Sequence, residues 1–180
     1  MPNAHQNTRK WLEEAVIGLN LCPFARSVVE DDAVRIAVNG ATSFDAAIDA
    51  ALDEVDRLLE ASPDDIATTL IVTPDALGDF DDFLDAVAVL EELLRRAHAD
   101  EIVQLAHFHP DYRFEGTEPD ALENYTNRAP YPTIQLLRVA QVAEAIDSHP
   151  DPESIPDDNI ERLEAMGREA VEALWRGWKS

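Results

Sequence analysis

The sequence predicts an α/β fold: a small βαβαβ sheet covered by helices, with one helix before the sheet and two after it. Three short segments rich in β-branched residues alternate with two long segments whose apolar residues recur at helical spacing. Right-handed crossovers make a parallel sheet the expected product of this order. The alternative is an α+β fold with a mixed sheet, in which one strand is antiparallel. The 180 residues suit a single domain over positions 1–180.

The first predicted element is a helix over residues 9–20, because its apolar side chains recur at helical spacing and Thr8 is available as the N-cap. Pro23 disfavours helical geometry at the residue before it. We therefore expect Cys22 at or just past the end of this helix.

The other elements follow from two periodicities. Strands are predicted where β-branched residues alternate or run together between turn residues, and helices where apolar residues form a continuous stripe. The predicted strands are 34–38, 68–73 and 102–109, and the predicted helices are 44–59, 80–98, 133–147 and 160–178. Thr42 or Ser43 is available to cap the first of these helices. The helix over 133–147 would place Arg138 at the surface or at a cap.

The charge of the chain bears on its partners. Its 14 Lys and Arg residues against 37 Asp and Glu residues give a formal net charge of −23, which repels phosphate backbones and anionic lipids. We expect no nucleic-acid partner and no membrane partner. The first residues lack the apolar core of a signal peptide, and the single cysteine, Cys22, excludes an intramolecular disulfide, so a cytoplasmic location is predicted.

A segment over residues 110–132 has neither helical nor strand periodicity, and compact domains rarely contain so long a loop unless it is functional or disordered. Its three tyrosines favour packing, and its polar groups suit a ligand pocket. The loop leaves the carboxyl end of the third strand, where the ligands of open α/β sheets bind. We therefore predict a small-molecule ligand here, with substrate-binding groups from Tyr112, Asn127, Arg128 and Tyr131.

Arg128 has two interpretations. It precedes a Pro-Tyr-Pro segment and the helix predicted from residue 133, so a guanidinium beside a helix N-terminus would suit an anionic ligand. Alternatively, it forms an ion pair with a carboxylate such as that of Glu118 and holds the loop in place.

His107, His109 and Asp111 lie two residues apart, so an extended chain would place all three on one face. Such a set could bind a divalent metal through two imidazoles and a carboxylate. The alternative is one packed and one hydrogen-bonded imidazole, which is the commoner arrangement for two histidines on a strand. Apart from this possible divalent metal, the sequence does not identify a cofactor.

Cys22 is either a nucleophile or an inert buried thiol. A helix C-terminus among apolar residues and carboxylates raises the pKa of a thiol, which favours the inert interpretation. A nucleophile would require His109 or Arg128 to fold against the sulfur, because the histidine would supply a base and the arginine an anion-binding group.

Three segments carry a resemblance to a known family: WLEEAVIGLNLCPFA at 11–25, FHPDY at 108–112 and NYTNRAPYP at 124–132. These segments resemble the signature segments of an uncharacterised bacterial family, domain of unknown function fourteen-fifteen. The resemblance extends over nearly the whole chain. The family has no established activity, so the resemblance implies a cytoplasmic single-domain protein and assigns no catalytic role. The motifs contain Cys22, His109, Asp111, Tyr112, Asn127, Arg128 and Tyr131. The chain departs from the family pattern at His107 and Gln135, and both departures weaken the metal hypothesis.

Two functional hypotheses result. In the first, the protein is a small-molecule enzyme acting on a polar or anionic substrate at the 107–132 loop and the Cys22 region. Arg128 and Asn127 would bind the substrate, His109 would act as general acid or base oriented by Asp111, and Cys22 would be the nucleophile. In the second, the chain is a non-catalytic domain that binds a ligand or a protein through the same loop.

Overall fold

Four strands form one mixed sheet in the computed structural model, which describes residues 3–178. β1 (Val34–Val38) and β2 (Thr68–Val72) pair in parallel, and β4 (Thr133–Arg138) lies antiparallel between β2 and β3 (Val103–Phe108). The strand order is therefore β1-β2-β4-β3. The predicted α/β class is confirmed. The sheet is mixed, as in the predicted alternative, because β4 is antiparallel to both of its neighbours.

Two long helices cover one face of this sheet. α3 (Phe44–Glu60) begins after the N-cap Ser43, and α4 (Phe80–Arg96) begins after the N-cap Asp79. Each capping side chain accepts a backbone N–H of the first turn, which that turn cannot otherwise satisfy. The apolar stripes of the two helices pack on the sheet in one core, which includes Val55, Leu58, Ile71, Phe83, Leu90 and Leu136.

The other face carries the helices from both ends of the chain. These are α1 (Ala4–Trp11), which continues as a π-helical segment (Leu12–Ile17), α2 (Ala25–Glu30), α5 (Val139–Ser148), α6 (Ile155–Met166) and α7 (Arg168–Arg176). Short 3₁₀ segments cover Leu122–Asn127 and Pro152–Ser154. A second apolar core on this face includes Trp11, Leu70, Leu163, Val171 and Trp178. By contrast, α2 and α5 contain no buried residue.

The helices are shorter than the roughly 20 residues that a helix needs to cross a bilayer. The longest, α3 and α4, have 17 residues each. Within residues 3–178, no helix combines the length and the apolar character needed to cross a bilayer.

Residues 133–147 do not form the single helix predicted for them. Thr133–Arg138 form β4, and α5 begins at Val139. As the strand between β2 and β3, β4 satisfies backbone groups on both of its neighbours, a gain that overrides helical periodicity. Arg138 is consequently buried at the end of a strand and does not lie at the surface.

The two terminal helices also differ from the prediction. The first begins at Ala4 after the N-cap Asn3, and Thr8 lies buried within it. The helix predicted over 160–178 is two helices, α6 and α7, because Gly167 interrupts it with a φ of +80°. Glycine adopts that left-handed conformation without the steric cost that a side chain adds.

Candidate functional site

A cavity of about 1400 Å³ lies on the face of the sheet that α3 and α4 do not cover. Its floor is made by the side chains that alternate with those of the α3–α4 core, namely Val34, Thr68, Leu70, Ala106, Phe108, Gln135 and Leu137. Residues of α2, α5 and the first turns of α6 form its walls. The cavity is therefore a concave space between the sheet and three helices.

Two of the wall helices, α2 and α5, have no buried residue, so they leave the space above the sheet open. α2 contributes Val28 and Val29, and α5 contributes Val142 and Ala145. Apolar side chains make up most of the lining. A preformed concave space with apolar walls and few polar groups is typical of small-molecule sites.

Gln135 is the polar group on the floor at the centre of the sheet. Its Nε2 donates to Thr68 Oγ1 at 2.9 Å, and Thr68 Oγ1 in turn donates to the Leu136 carbonyl oxygen at 2.7 Å. Gln135 lies opposite Leu70 on β2 and Ala106 on β3, both of which also line the cavity. A fixed carboxamide thus lies among apolar neighbours.

Cys22 lies in the wall of the same cavity, in the turn after the π-helical segment. The thiol is half-buried, and burial raises its pKa, while the backbone N–H groups of Phe24 and Ala25 lower it in part. Because burial is the larger effect, the thiol form predominates at neutral pH. Cys22 is therefore a protonated thiol facing a ligand-sized space.

His109 lies on the opposite side of the sheet, beside α4. Its Nδ1 accepts the Asp111 N–H at 3.0 Å, and its Nε2 lies 3.1 Å from the Leu77 carbonyl oxygen, to which it donates. The fully buried ring packs on Phe80 and Phe83, with centroid distances of 5.2 Å and 5.1 Å. Both ring nitrogens are thus committed to backbone groups.

The structure does not bring Cys22 and His109 together, because the sheet separates the cavity from the α4 side. The Asp111 side chain is exposed, and its contact with His109 is through the backbone N–H. The catalytic roles of Cys22, His109 and Asp111 stay predictions, and the described geometry gives no Cys–His pair to support them.

The metal hypothesis at His107, His109 and Asp111 meets the same difficulty. Since Nδ1 of His109 accepts a hydrogen bond and Nε2 carries a proton, neither nitrogen offers a lone pair to a metal. The His107 ring stacks on Tyr112 at 5.6 Å and meets the edge of Phe83 at 6.2 Å. Across the described part of the chain, no group of three or more His, Cys, Asp and Glu side chains is placed to hold a metal ion.

The half-buried position of His107 has a consequence for stability. Burial lowers its pKa below the ordinary value of 6.5, and the charge of Glu91 opposes this only in part. The unfolded chain therefore binds the proton more readily, so stability present above about pH 6.5 is lost as the pH falls towards the folded-state pKa. We expect His107→Leu to flatten this part of the pH profile in urea unfolding. Equal slopes for the variant and the wild type below about pH 6.5 would contradict the assignment.

Arg128 holds the long loop through backbone carbonyls. Its Nε donates to the Tyr112 carbonyl oxygen at 3.2 Å and its Nη2 to that of Pro119 at 2.7 Å. The guanidinium also lies 4.3 Å from the centroid of the Tyr125 ring. The helix N-terminus expected beside it is absent, because residue 133 begins β4. Arg128 thus holds the loop in place, as the alternative interpretation from sequence expects. Its partners are backbone carbonyls and not the expected Glu118 carboxylate.

The backbone of Arg128 is anchored from the other side. The indole Nε1 groups of Trp11 and Trp175 both donate to its carbonyl oxygen, each at 3.0 Å. Both tryptophans belong to the second core. The loop is therefore fixed between the N-terminal and C-terminal helices.

The other predicted substrate-binding residues are also held by the protein itself. Tyr131 Oη accepts from Asn7 Nδ2 at 2.9 Å. Tyr112 is buried against the rings of Phe80, His107 and Phe114. Asn127 lines the cavity, whereas Tyr112, Arg128 and Tyr131 are not among its lining residues. A substrate-binding role for these four residues stays a prediction.

The cavity floor was missed from sequence. Gln135, Ala106 and Phe108 line it, and the sequence does not single them out, because the pattern of residues 133–147 predicts a helix and the candidate residues of β3 are its histidines. The alternation of TIQLLR at 133–138 is the signal that a strand assignment would have used.

Comparison with known proteins gives a family match. The model described as "Protein of unknown function (DUF1415)" matches residues 3–173, and it is the family that the three sequence motifs resemble. No curated protein and no solved structure matches the chain.

Proposed function

The chain belongs to the DUF1415 family of proteins of unknown function, and from its cavity we propose that it binds a small, mostly apolar molecule on the open face of the sheet. The observation that carries this proposal is the cavity of about 1400 Å³ between the sheet and α2, α5 and α6. Its volume is above the range of roughly 300–1,000 Å³ common for ligand pockets, so an extended molecule would fit.

The walls support an apolar ligand more than the polar or anionic substrate expected from the loop. Burial of an apolar molecule against Leu70, Phe108 and Leu137 would remove apolar surface from water on both partners, which is the main favourable contribution to such binding. The polar residues of the loop, by contrast, hold the fold. The proposal therefore corresponds to the second functional hypothesis, a non-catalytic domain that binds a ligand, but it places the binding site on the sheet and not on the loop.

A change on the floor tests the proposal. Ala106 faces the cavity from β3, so Ala106→Trp would fill part of the space and should weaken binding of the neutral apolar dye Nile red by at least about tenfold, the equivalent of roughly 1.4 kcal/mol. Fluorescence titration measures the affinity. Ala145→Trp on α5 should repeat the effect from the opposite wall.

The control is Ala88→Trp, which adds the same indole to the exposed outer side of α4. It should leave dye binding unchanged. Dye affinity that is unaffected by Ala106→Trp, or that falls equally in Ala88→Trp, would remove the cavity from consideration as the binding site.

Catalysis at the same place is a second candidate function, and one observation favours it. Cys22 lies in the cavity wall, and the backbone N–H groups of Phe24 and Ala25 lower the pKa of its thiol in part, so they would favour a thiolate formed there. An enzyme using this thiol would lose turnover in Cys22→Ser while retaining Nile red binding. If the cysteine is inert, Cys22→Ser would change neither turnover nor dye binding.

A further inference from the structure

We propose that the cavity selects a ligand that is neutral or cationic and donates a hydrogen bond to Gln135 Oε1. The ligand class is an extended apolar molecule bearing a hydroxyl or ammonium group, and carboxylates and phosphates are excluded. This inference rests on the proposed function, because it assigns the chemistry of a ligand for the same cavity.

The orientation of the Gln135 carboxamide follows from a chain of hydrogen bonds. The Thr68 hydroxyl has one proton, which it donates to the Leu136 carbonyl oxygen at 2.7 Å. Thr68 Oγ1 can therefore only accept from Gln135, at 2.9 Å, so the NH₂ group of Gln135 faces Thr68. The carboxamide oxygen, Oε1, is left as the group presented to the cavity.

The lining has three other carboxamides: Gln141 lies in the α5 wall and not on the floor, and Asn127 and Asn159 are already committed to other groups. Asn159 Nδ2 donates to the Leu21 carbonyl oxygen at 2.7 Å, and its Oδ1 accepts from Arg162 at 3.0 Å. Asn127 Nδ2 donates to the His107 carbonyl oxygen at 3.3 Å, and its Oδ1 accepts from Thr126 at 3.2 Å. Gln135 Oε1, in contrast, accepts no hydrogen bond from any group within residues 3–178.

An acceptor on an apolar floor favours a ligand that carries a donor. When an apolar ligand displaces water from Oε1 without replacing its hydrogen bond, the oxygen loses a partner, and this desolvation reduces affinity. A ligand hydroxyl or ammonium placed at Gln135 avoids that loss. A ligand carboxylate or ether would meet the oxygen with another acceptor.

The charges around the cavity act in the same direction. Four carboxylate residues contribute to the lining, and none of them forms an ion pair with another described residue: Asp31, Asp64, Glu123 and Glu144. Among residues 3–178, the lining has one cationic residue, Arg138, whose guanidinium donates to the carbonyls of Leu58, Ala61 and Ile66. The net negative lining would repel an anionic ligand and attract a cation.

The donor requirement is tested with two neutral ligands of the same apolar length, decanol and decyl methyl ether, each competing with Nile red below its aggregation threshold. Decanol should displace the dye at about a tenfold lower concentration, the effect of one hydrogen bond. Gln135→Leu should abolish the difference between the two ligands. Gln104→Leu, a matched substitution on the exposed part of β3, should retain it.

The charge requirement is tested with decylammonium and decanoate. Decylammonium should compete at a lower concentration than decanoate, and added NaCl should reduce the difference by screening the carboxylates. Gln135→Glu should increase the preference for decylammonium further. This variant also keeps the test available if Gln135→Leu does not fold.

The outcomes separate the two proposals. Nile red binding that depends on Ala106, together with equal competition by decanol and its ether or by decylammonium and decanoate, would overturn the ligand class and leave the cavity as the binding site. Absence of Nile red binding to the wild-type protein would overturn both.

Discussion

Replacing His109 by alanine is expected to lower the free energy of unfolding by about 3 kcal/mol, as judged from urea denaturation. The fully buried ring packs on Phe80 and Phe83, so its loss leaves a cavity in the core beside α4. Removal of the ring also leaves the Leu77 carbonyl and the Asp111 N–H without the partners that Nε2 and Nδ1 provide. Loss of activity in His109→Ala would therefore not by itself assign a catalytic role.

The sequence supplies a matched control. His149 begins a second His-Pro-Asp segment, and its Nδ1 accepts the Asp151 N–H at 3.2 Å, just as His109 Nδ1 accepts the Asp111 N–H. The His149 hydrogen bond is exposed to solvent. We expect His149→Ala to cost less than about 1 kcal/mol, since exposed polar groups regain hydrogen bonds from water. Equal effects of the two substitutions would show that burial of His109 is not the source of its contribution.

The second large effect is expected at Arg138, where Arg138→Met should lower the free energy of unfolding by about 3 kcal/mol. Arg138 Nη2 donates to the carbonyls of Leu58 and Ala61, at 2.7 Å and 2.8 Å, and Nε donates to that of Ile66 at 3.0 Å. Leu58 and Ala61 lie at the C-terminal end of α3, where carbonyls lack helical partners and the helix dipole is negative. Methionine replaces the apolar stem but none of the donors.

Arg57→Met is the control for this prediction. Arg57 is in the last turn of the same helix, but its side chain is 55% exposed and pairs with Glu54 at 3.5 Å. Only the arginine side of this pair is exposed, and helix pairs at such spacing contribute about 0.3–0.5 kcal/mol. Arg138→Lys should give an intermediate loss, because it retains the charge with one nitrogen in place of three. A loss at Arg138 no greater than at Arg57 would show that the three carbonyl contacts are not stabilising.

Much of the fold could be predicted from local pattern. The apolar stripes of α3 and α4 and the β-branched runs of β1, β2 and β3 each specify one type of element, so those five elements form where they are predicted. The family resemblance was likewise carried by contiguous motifs, and it is confirmed by the match over residues 3–173.

The candidate site was less accessible to sequence reasoning. The 110–132 loop is rich in polar groups, but a polar group can bind a ligand or hold the fold, and its type does not distinguish the two. In the structure Arg128 binds the carbonyls of Tyr112 and Pro119, while the Arg128 carbonyl accepts from Trp11 and Trp175. These partners come from distant parts of the chain, so only the folded structure shows that the polar groups of Arg128 form their hydrogen bonds within the protein.

By itself, the sequence determined the α/β class, the positions of the first three strands along the chain and the acidic character of the chain, because these depend on composition and on neighbouring residues. The tertiary structure decided that residues 133–138 are a strand, since pairing with β2 and β3 outweighs their helical pattern. That pairing places Gln135 on the cavity floor and Arg138 against the end of α3. Burial likewise distinguishes His109 from His149: the two begin the same tripeptide, but His109 is fully buried and its Nε2 also donates to the Leu77 carbonyl oxygen.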